Sequence, residues 1–219
     1  MKKQFLPLML LASAMCACSG NQQAEPTEPM ITKTEIQVEN GQFTPEIMHR
    51  LGKVGDVQVS PDHSKILYGV TYTSIEQNKG NRELYLMNVD GSDNVKITNT
   101  PKSESNARWL NDSQIIYMRS GKLYTATIEG ATLKNETEVA GAEGMESFEL
   151  SPAGDKFMFI KSVKAAQKPT DIYPDLDKSS GRTYTDLMYR HWDHFVEEVP
   201  HTYVATFDGK QVSGVTDIL

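Results

Sequence analysis

The side chains with the most chemistry in this 219-residue chain crowd into one short stretch: Arg190, His191, Asp193, His194, Glu197, Glu198 and His201. His191, His194 and Glu198 fall at i, i+3 and i+7, so a helix would put them on one face with His201 nearby, a grouping that can present imidazole and carboxylate to a metal. The stretch lacks the His-Glu-Xxx-Xxx-His pattern and has no companion cluster, so hydrogen-bonded structural histidines are the reading, and no metal or other cofactor is assigned. Glu197 and Glu198 are adjacent carboxylates that either grip an ammonium group through charge-assisted hydrogen bonds or form a solvated acidic turn. Arg190 and Asp193 suit an ion pair, with Trp192 as the buried anchor that pins the segment to the body of the fold. Acyl transfer has no foothold, because a nucleophile elbow needs Gly-Xxx-Ser-Xxx-Gly and Gly-Xxx-Ser occurs nowhere in these residues. No catalytic residue is therefore assigned.

These residues interrupt the third copy of a repeated unit. The first copy reads Val57 to Asp62, Lys65 to Tyr68, Glu83 to Gly91 and Val95 to Thr98; the second reads Ala107 to Asp112, Gln114 to Met118, Lys122 to Gly130 and Glu138 to Gly141. The third reads Ser147 to Asp155 and Lys156 to Ile160, then, after the interruption, Thr202 to Gly209 and Val212 to Thr216. Equivalent positions Ser60, Leu110 and Ser151 are 50 and 41 residues apart, a period that fits four-stranded propeller blades. Gly, Pro, Asn and Asp bound the strands and supply the backbone angles that tight hairpins require. The runs Leu84 to Val89 and Phe157 to Ile160 are apolar without alternation, which predicts burial on both faces, as in a sheet stacked between two others. A β-sandwich offers as many short strands, but the constant order and the recurring Asp-Gly turn favour the propeller.

The expected fold is all-β: a partial β-propeller of about three four-stranded blades (about 55–100, 105–141 and 147–218), with a short N-terminal helix and a partly helical insertion at 164–201. The helix is signalled by Thr44 as N-cap, Pro45 at the first helical position and Glu46 at the positive end of the dipole, ending near Gly52.

The chain carries 38% hydrophobic and 23% charged residues, enough for a sizeable core, and its formal charge of −7 repels nucleic acid. No basic stripe or stacking ladder offsets this, so polynucleotide binding is excluded. Residues 1–18 read as a lipoprotein-type export signal: Lys2 and Lys3, an apolar run from Phe5 to Met15, then Ala17 and Cys18. Cys18 follows a small residue whereas Cys16 follows Met15, so Cys18 is the expected lipidation site. Residues 19–42 are polar and rich in Pro, Glu and Gln, the composition of a flexible tether, and the expected location is the periplasm or outer membrane of a Gram-negative bacterium, with a lipid anchor in the membrane.

The stretch Phe43 to Leu51, continuing Val54-Gly55-Asp56-Val57-Gln58-Val59-Ser60-Pro61-Asp62, resembles the opening of S9 (prolyl oligopeptidase) family serine peptidases. Gly181 to His194, with its Tyr189-Arg190-His191-Trp192-Asp193 core, is similar to a propeller insertion of the dipeptidyl-peptidase- and acylaminoacyl-peptidase-like subgroup from Bacteroidetes. The resemblance implies an N-terminal propeller capping a C-terminal α/β-hydrolase domain, whose Ser-Asp-His triad cleaves short peptides or removes N-terminal dipeptides. It also implies that propeller carboxylates hold the free amino terminus of a peptide substrate, a role open to Glu197 and Glu198. Triad residues map to no position here, so the chain is expected to be the substrate-filtering propeller portion of such an enzyme and inactive by itself. The alternative is a non-catalytic, lipid-anchored binding propeller of the TolB-like kind, which three blades serve poorly because open rings leave unpaired edges.

Overall fold

The computed structural model describes residues 29–179, 181 and 196–219. Cys18, Arg190, His191, Trp192, Asp193 and His194 lie outside the described residues. Residues 29–42 carry no helix or strand, and Ile31 within them is buried. Helix α1 (Pro45–Arg50) follows, with the Thr44 hydroxyl accepting the Ile47 N–H at 3.4 Å and Ile47 as its buried residue.

Twelve strands among the described residues form three antiparallel sheets of four. The first holds β1 (Lys53–Val59), β2 (Lys65–Ser74), β3 (Lys79–Asn88) and β4 (Val95–Lys96) in chain order. The second holds β5 (Glu104–Trp109), β6 (Gln114–Arg119), β7 (Lys122–Glu129) and β8 (Thr132–Glu138), again in chain order. β9 (Ser147–Leu150), β10 (Lys156–Lys164), β11 (Glu198–Phe207) and β12 (Val212–Asp217) make the third, with the short helix α2 (Pro169–Ile172) inside the β10–β11 connection.

Two strand assignments differ from the sequence expectation. The fourth strand of the second unit is Thr132–Glu138 and not Glu138 to Gly141, because Gly130 (φ 59°) closes a hairpin directly after β7. β8 is an edge strand with only Leu133 and no other residue even half-buried, so its polar sequence carries no hydrophobic signal. In the third unit the pairing of β10 with β11 continues past Ile160 as far as Lys164 opposite Glu198, which shortens the interruption to residues 165–197.

The core lies in two seams between sheets. Leu67, Leu84, Leu86 and Ile97 of the first unit meet Ala107, Ile115, Tyr117 and Ala126 of the second. On its other side the second sheet turns Ile116, Met118 and Leu123 against Phe148, Phe157, Phe159, Ala205 and Phe207 of the third. Successive residues Ile115 to Met118 are therefore all buried, as both-face packing demands. The same expectation fails for Phe157 to Ile160: Phe157 and Phe159 are buried while Met158 is 50% and Ile160 37% exposed. It fails for Leu84 to Val89 as well, where Leu84 and Leu86 are buried and Val89 is exposed. The first and third sheets each meet a neighbouring sheet on one face only among the described residues, so side chains of alternate parity stay open. An isolated parallel bridge between Ala140 and Gln211 links the second and third units, Ala140 N–H donating to the Lys210 carbonyl at 3.2 Å and Val212 N–H to the Ala140 carbonyl at 2.8 Å. Gly141 (φ +77°) makes that approach possible, since a Cβ there would lie 2.4 Å from the Val212 carbonyl oxygen.

Candidate functional site

β10 and β11 form a long two-stranded ribbon that carries the interruption at its tip. At its base the Glu197 carbonyl accepts the N–H groups of Ala165 and Ala166 at 2.9 and 3.2 Å, closing the neck of the loop. α2 is capped by Asp171, whose carboxylate accepts the Lys168 N–H at 2.6 Å and pairs with the Lys164 ammonium. That Lys164 hydrogen bond, with the Lys168 N–H behind it, holds the Asp171 carboxyl below the usual carboxylate range.

Glu197 and Glu198 stand at this neck. The Glu197 carboxylate lies 3.3 Å from Lys168 Nζ, both side chains partly open to solvent, and Glu198 opens β11 directly across from Lys164. At the mouth of the loop Lys168 thus pairs with Glu197, while Lys164, in register with Glu198, pairs with Asp171. Glu198 and His201 sit in a strand with period two, so they do not continue a helical face from His191 and His194. His201 instead pairs with Asp217 across β11 and β12, Nδ1 to Oδ2 2.7 Å, and this contact lowers the Asp217 pKa. Among the described residues no group of three or more His, Cys, Asp or Glu side chains is arranged to hold a metal ion.

A second constellation went unread in the sequence. β1, β5 and β9 run close together, and each presents a polar residue two positions before the Ser60, Leu110 and Ser151 landmarks: Gln58, Arg108 and Glu149. The Arg108 guanidinium grips Glu149 with two hydrogen bonds, Nη2 to Oε1 at 2.7 Å and Nε to Oε2 at 3.2 Å. With the Gln58 amide assigned so that its oxygen meets the donors, it accepts from the same guanidinium, at 3.2 Å from Nε and 3.1 Å from Nη1. Asn106 adds a side-chain hydrogen bond of 2.7 Å to the Phe148 carbonyl. The hydrogen bond from Arg108 is the leading reason the Glu149 carboxyl titrates low. The repeat alignment carried the signal, since one position holds Gln, Arg and Glu in three successive copies. Nearby, Arg82 lies over Gly69 and pairs with Asp56 at 2.8 Å. The convergent strands therefore present a polar, charge-paired wall.

Comparison with known proteins matches this layout. The chain is 34% identical over 180 residues to dipeptidyl-peptidase 5 of Porphyromonas gingivalis, covering 81% of this chain and 26% of that protein. It is a homologue of S9-family peptidases. Dipeptidyl-peptidase 5 of Porphyromonas endodontalis is 31% identical over 191 residues, covering 85% of this chain and 27% of that one. The chain thus spans about a quarter of the length of the curated S9 relatives it matches. In solved structures the acylaminoacyl peptidase of Pyrococcus horikoshii shares the fold with a TM-score of 0.55 at 14% identity, covering 77% of this chain and 26% of that one. An acylaminoacyl peptidase bound to Z-Gly-Gly-Phe-chloromethyl ketone gives 0.54 at 14% identity, over 78% of this chain and 26% of that one. The three sheets resemble the propeller portion of these S9 enzymes. No family model matches the sequence.

Proposed function

We propose that this chain is the substrate-filtering propeller portion of an exported S9-type serine exopeptidase that hydrolyses short peptides. The observation that carries this is the identity to dipeptidyl-peptidase 5 over four-fifths of the chain, joined to three sheets of propeller type and no Gly-Xxx-Ser. Catalysis belongs on this reading to an α/β-hydrolase domain, and the propeller selects which peptides reach it. Glu197 and Glu198 receive the substrate ammonium. The Glu197 to Lys168 pair is partly solvated and therefore weak, so Lys168 gives way readily to an incoming amino terminus at that contact. Arg190, Trp192 and Asp193 tie the insertion to its blade, and lipidation at Cys18 holds the domain at the membrane.

The test uses the chain and the complete peptidase side by side. Against dipeptide substrates with a chromogenic leaving group, the chain alone is expected to show no turnover; hydrolysis by it overturns the proposal. In the complete enzyme, Glu197→Gln and Glu198→Gln should each lower kcat/KM for free-amino dipeptides by roughly tenfold. N-acylated substrates should be nearly unaffected. Equal losses on both substrate classes remove the ammonium role and leave the propeller assignment standing.

A further inference from the structure

Ile97 to Ser103 form the strap that crosses from the first sheet to the second, and Glu104, the first residue of β5, anchors its far end. Glu104 is fully buried, and its Oε2 has no hydrogen-bond partner. Its Oε1 lies 2.7 Å from Thr100 Oγ1, which lies 2.6 Å from the Lys102 carbonyl oxygen. These two short oxygen contacts need two protons. A carbonyl has none and a hydroxyl has one, which leaves the second to be supplied by Glu104. Thr100 Oγ1 also accepts the Lys102 N–H at 3.2 Å, an arrangement that suits a hydroxyl donating to the carbonyl and accepting from the acid.

We infer that Glu104 is carried as the neutral carboxylic acid donating to Thr100, and that loss of this proton releases the strap between the first and second sheets. The surroundings agree group by group. From β3, Glu83 is also buried and accepts three donors: Thr98 Oγ1 at 2.6 Å, the Thr100 N–H at 3.2 Å and Asn81 Nδ2 at 3.3 Å. That carboxylate holds the negative charge beside Glu104. From β4, Lys96 reaches Glu83 Oε1 only at 3.9 Å. From β6, Arg119 stays 3.7 Å from Glu104 Oε1, beyond hydrogen-bond distance. Its guanidinium is committed to Glu136 of β8, through Nη2 to Oε1 at 2.5 Å and Nη1 to Oε2 at 3.1 Å, and stacks 4.4 Å over the Tyr124 ring of β7. Tyr117 of β6 donates to the same Glu136. Arg82, whose backbone N–H binds Ser103 Oγ, is paired with Asp56. Among the described residues, Arg119 is the cation beside Glu104, and its hydrogen bonds go to Glu136 instead. Burial pushes the Glu104 carboxyl up to about 7, with the charge of Glu83 adding to the rise and the charge of Arg119 opposing it.

A carboxyl whose folded-state pKa is raised stabilises the fold fully below its unfolded value, and that stability is lost as pH climbs through the folded value. Deprotonation sets two oxygen lone pairs against each other at Thr100 and adds a buried charge next to Glu83. The wild-type chain should lose on the order of 5 °C of Tm between about pH 5 and pH 8. Glu104→Gln, whose amide can donate to Thr100 at every pH, should remove most of that fall. An unchanged slope in Glu104→Gln overturns the inference. Should that variant fail to fold, carbon-13 carboxyl NMR on the wild-type chain decides the matter: Glu104 is expected to be protonated at about pH 6, and a carboxylate signal there sinks the idea. Stabilisation by added calcium or sodium chloride that vanishes in Glu104→Gln also overturns it, because a bound cation needs the ionised form.

Discussion

Ser60 and Ser151 perform the same task in two repeats. In each, the serine hydroxyl donates to an aspartate, Asp62 at 2.6 Å or Asp155 at 2.9 Å, and accepts the N–H of the lysine that opens the next strand, at 2.9 or 3.1 Å. The middle repeat has Leu110 in that place, and the Asn111 side chain substitutes by accepting the Gln114 N–H at 2.9 Å. Ser60 is buried, so Ser60→Ala strands the Lys65 N–H and should cost about 1–2 kcal/mol in urea unfolding. The hydrogen bonds from Ser60 and Ser64 hold Asp62 down to about 2. A lowered carboxyl pKa stabilises the fold above the ordinary aspartate range and loses that contribution as pH falls toward the folded value, so Asp62→Asn should flatten the acid limb of the stability profile. The Ser-Pro signature was legible in the sequence as a turn. The ladder of Gln58, Arg108 and Glu149 was written there too, but its meaning requires β1, β5 and β9 to run side by side.

At the level of elements, a short strand takes its character from the number of sheets that cover it. β6 has a neighbour on each face and is buried from Ile115 to Met118, whereas β10 alternates between the phenylalanines of the seam and the open Met158 and Ile160. Phe157 meets Phe148 and Phe207 edge-on, with ring centroids 5.3 and 4.7 Å away. Phe157→Ala should therefore cost about 3–5 kcal/mol, and Met158→Ala, one residue along on the open face, only about 0.5 kcal/mol, both read from the urea midpoint. Each strand carries an unbroken run of four apolar residues, Ile115 to Met118 and Phe157 to Ile160, so the length of the run does not distinguish them. β8 shows the converse, a genuine strand with no apolar pattern because it is an edge whose hydrogen bonds and Gly130 turn hold it in place.

Across the whole molecule the three sheets stack through two seams, leaving Val54 and Val59 exposed on the first sheet and Met158 and Ile160 on the third. Small polar contacts, the Arg108 ladder among them, hold the convergent strands in register while the apolar seams supply most of the cohesion. The proposed membrane attachment is tested at this scale: Cys18→Ser should move the protein from the membrane to the soluble fraction, and continued membrane association transfers the role to Cys16 or removes it. Sequence alone determined what local chemistry dictates, namely the repeat and its strand order, the turns set by Gly, Pro and Asp, and the cap at Thr44. Only the tertiary structure decided which face of each sheet is covered, that Glu198 belongs to a strand and that Glu104 lies buried beside Glu83. Those outcomes rest on contacts between residues far apart in the chain, and neither local propensity nor spacing carries that information.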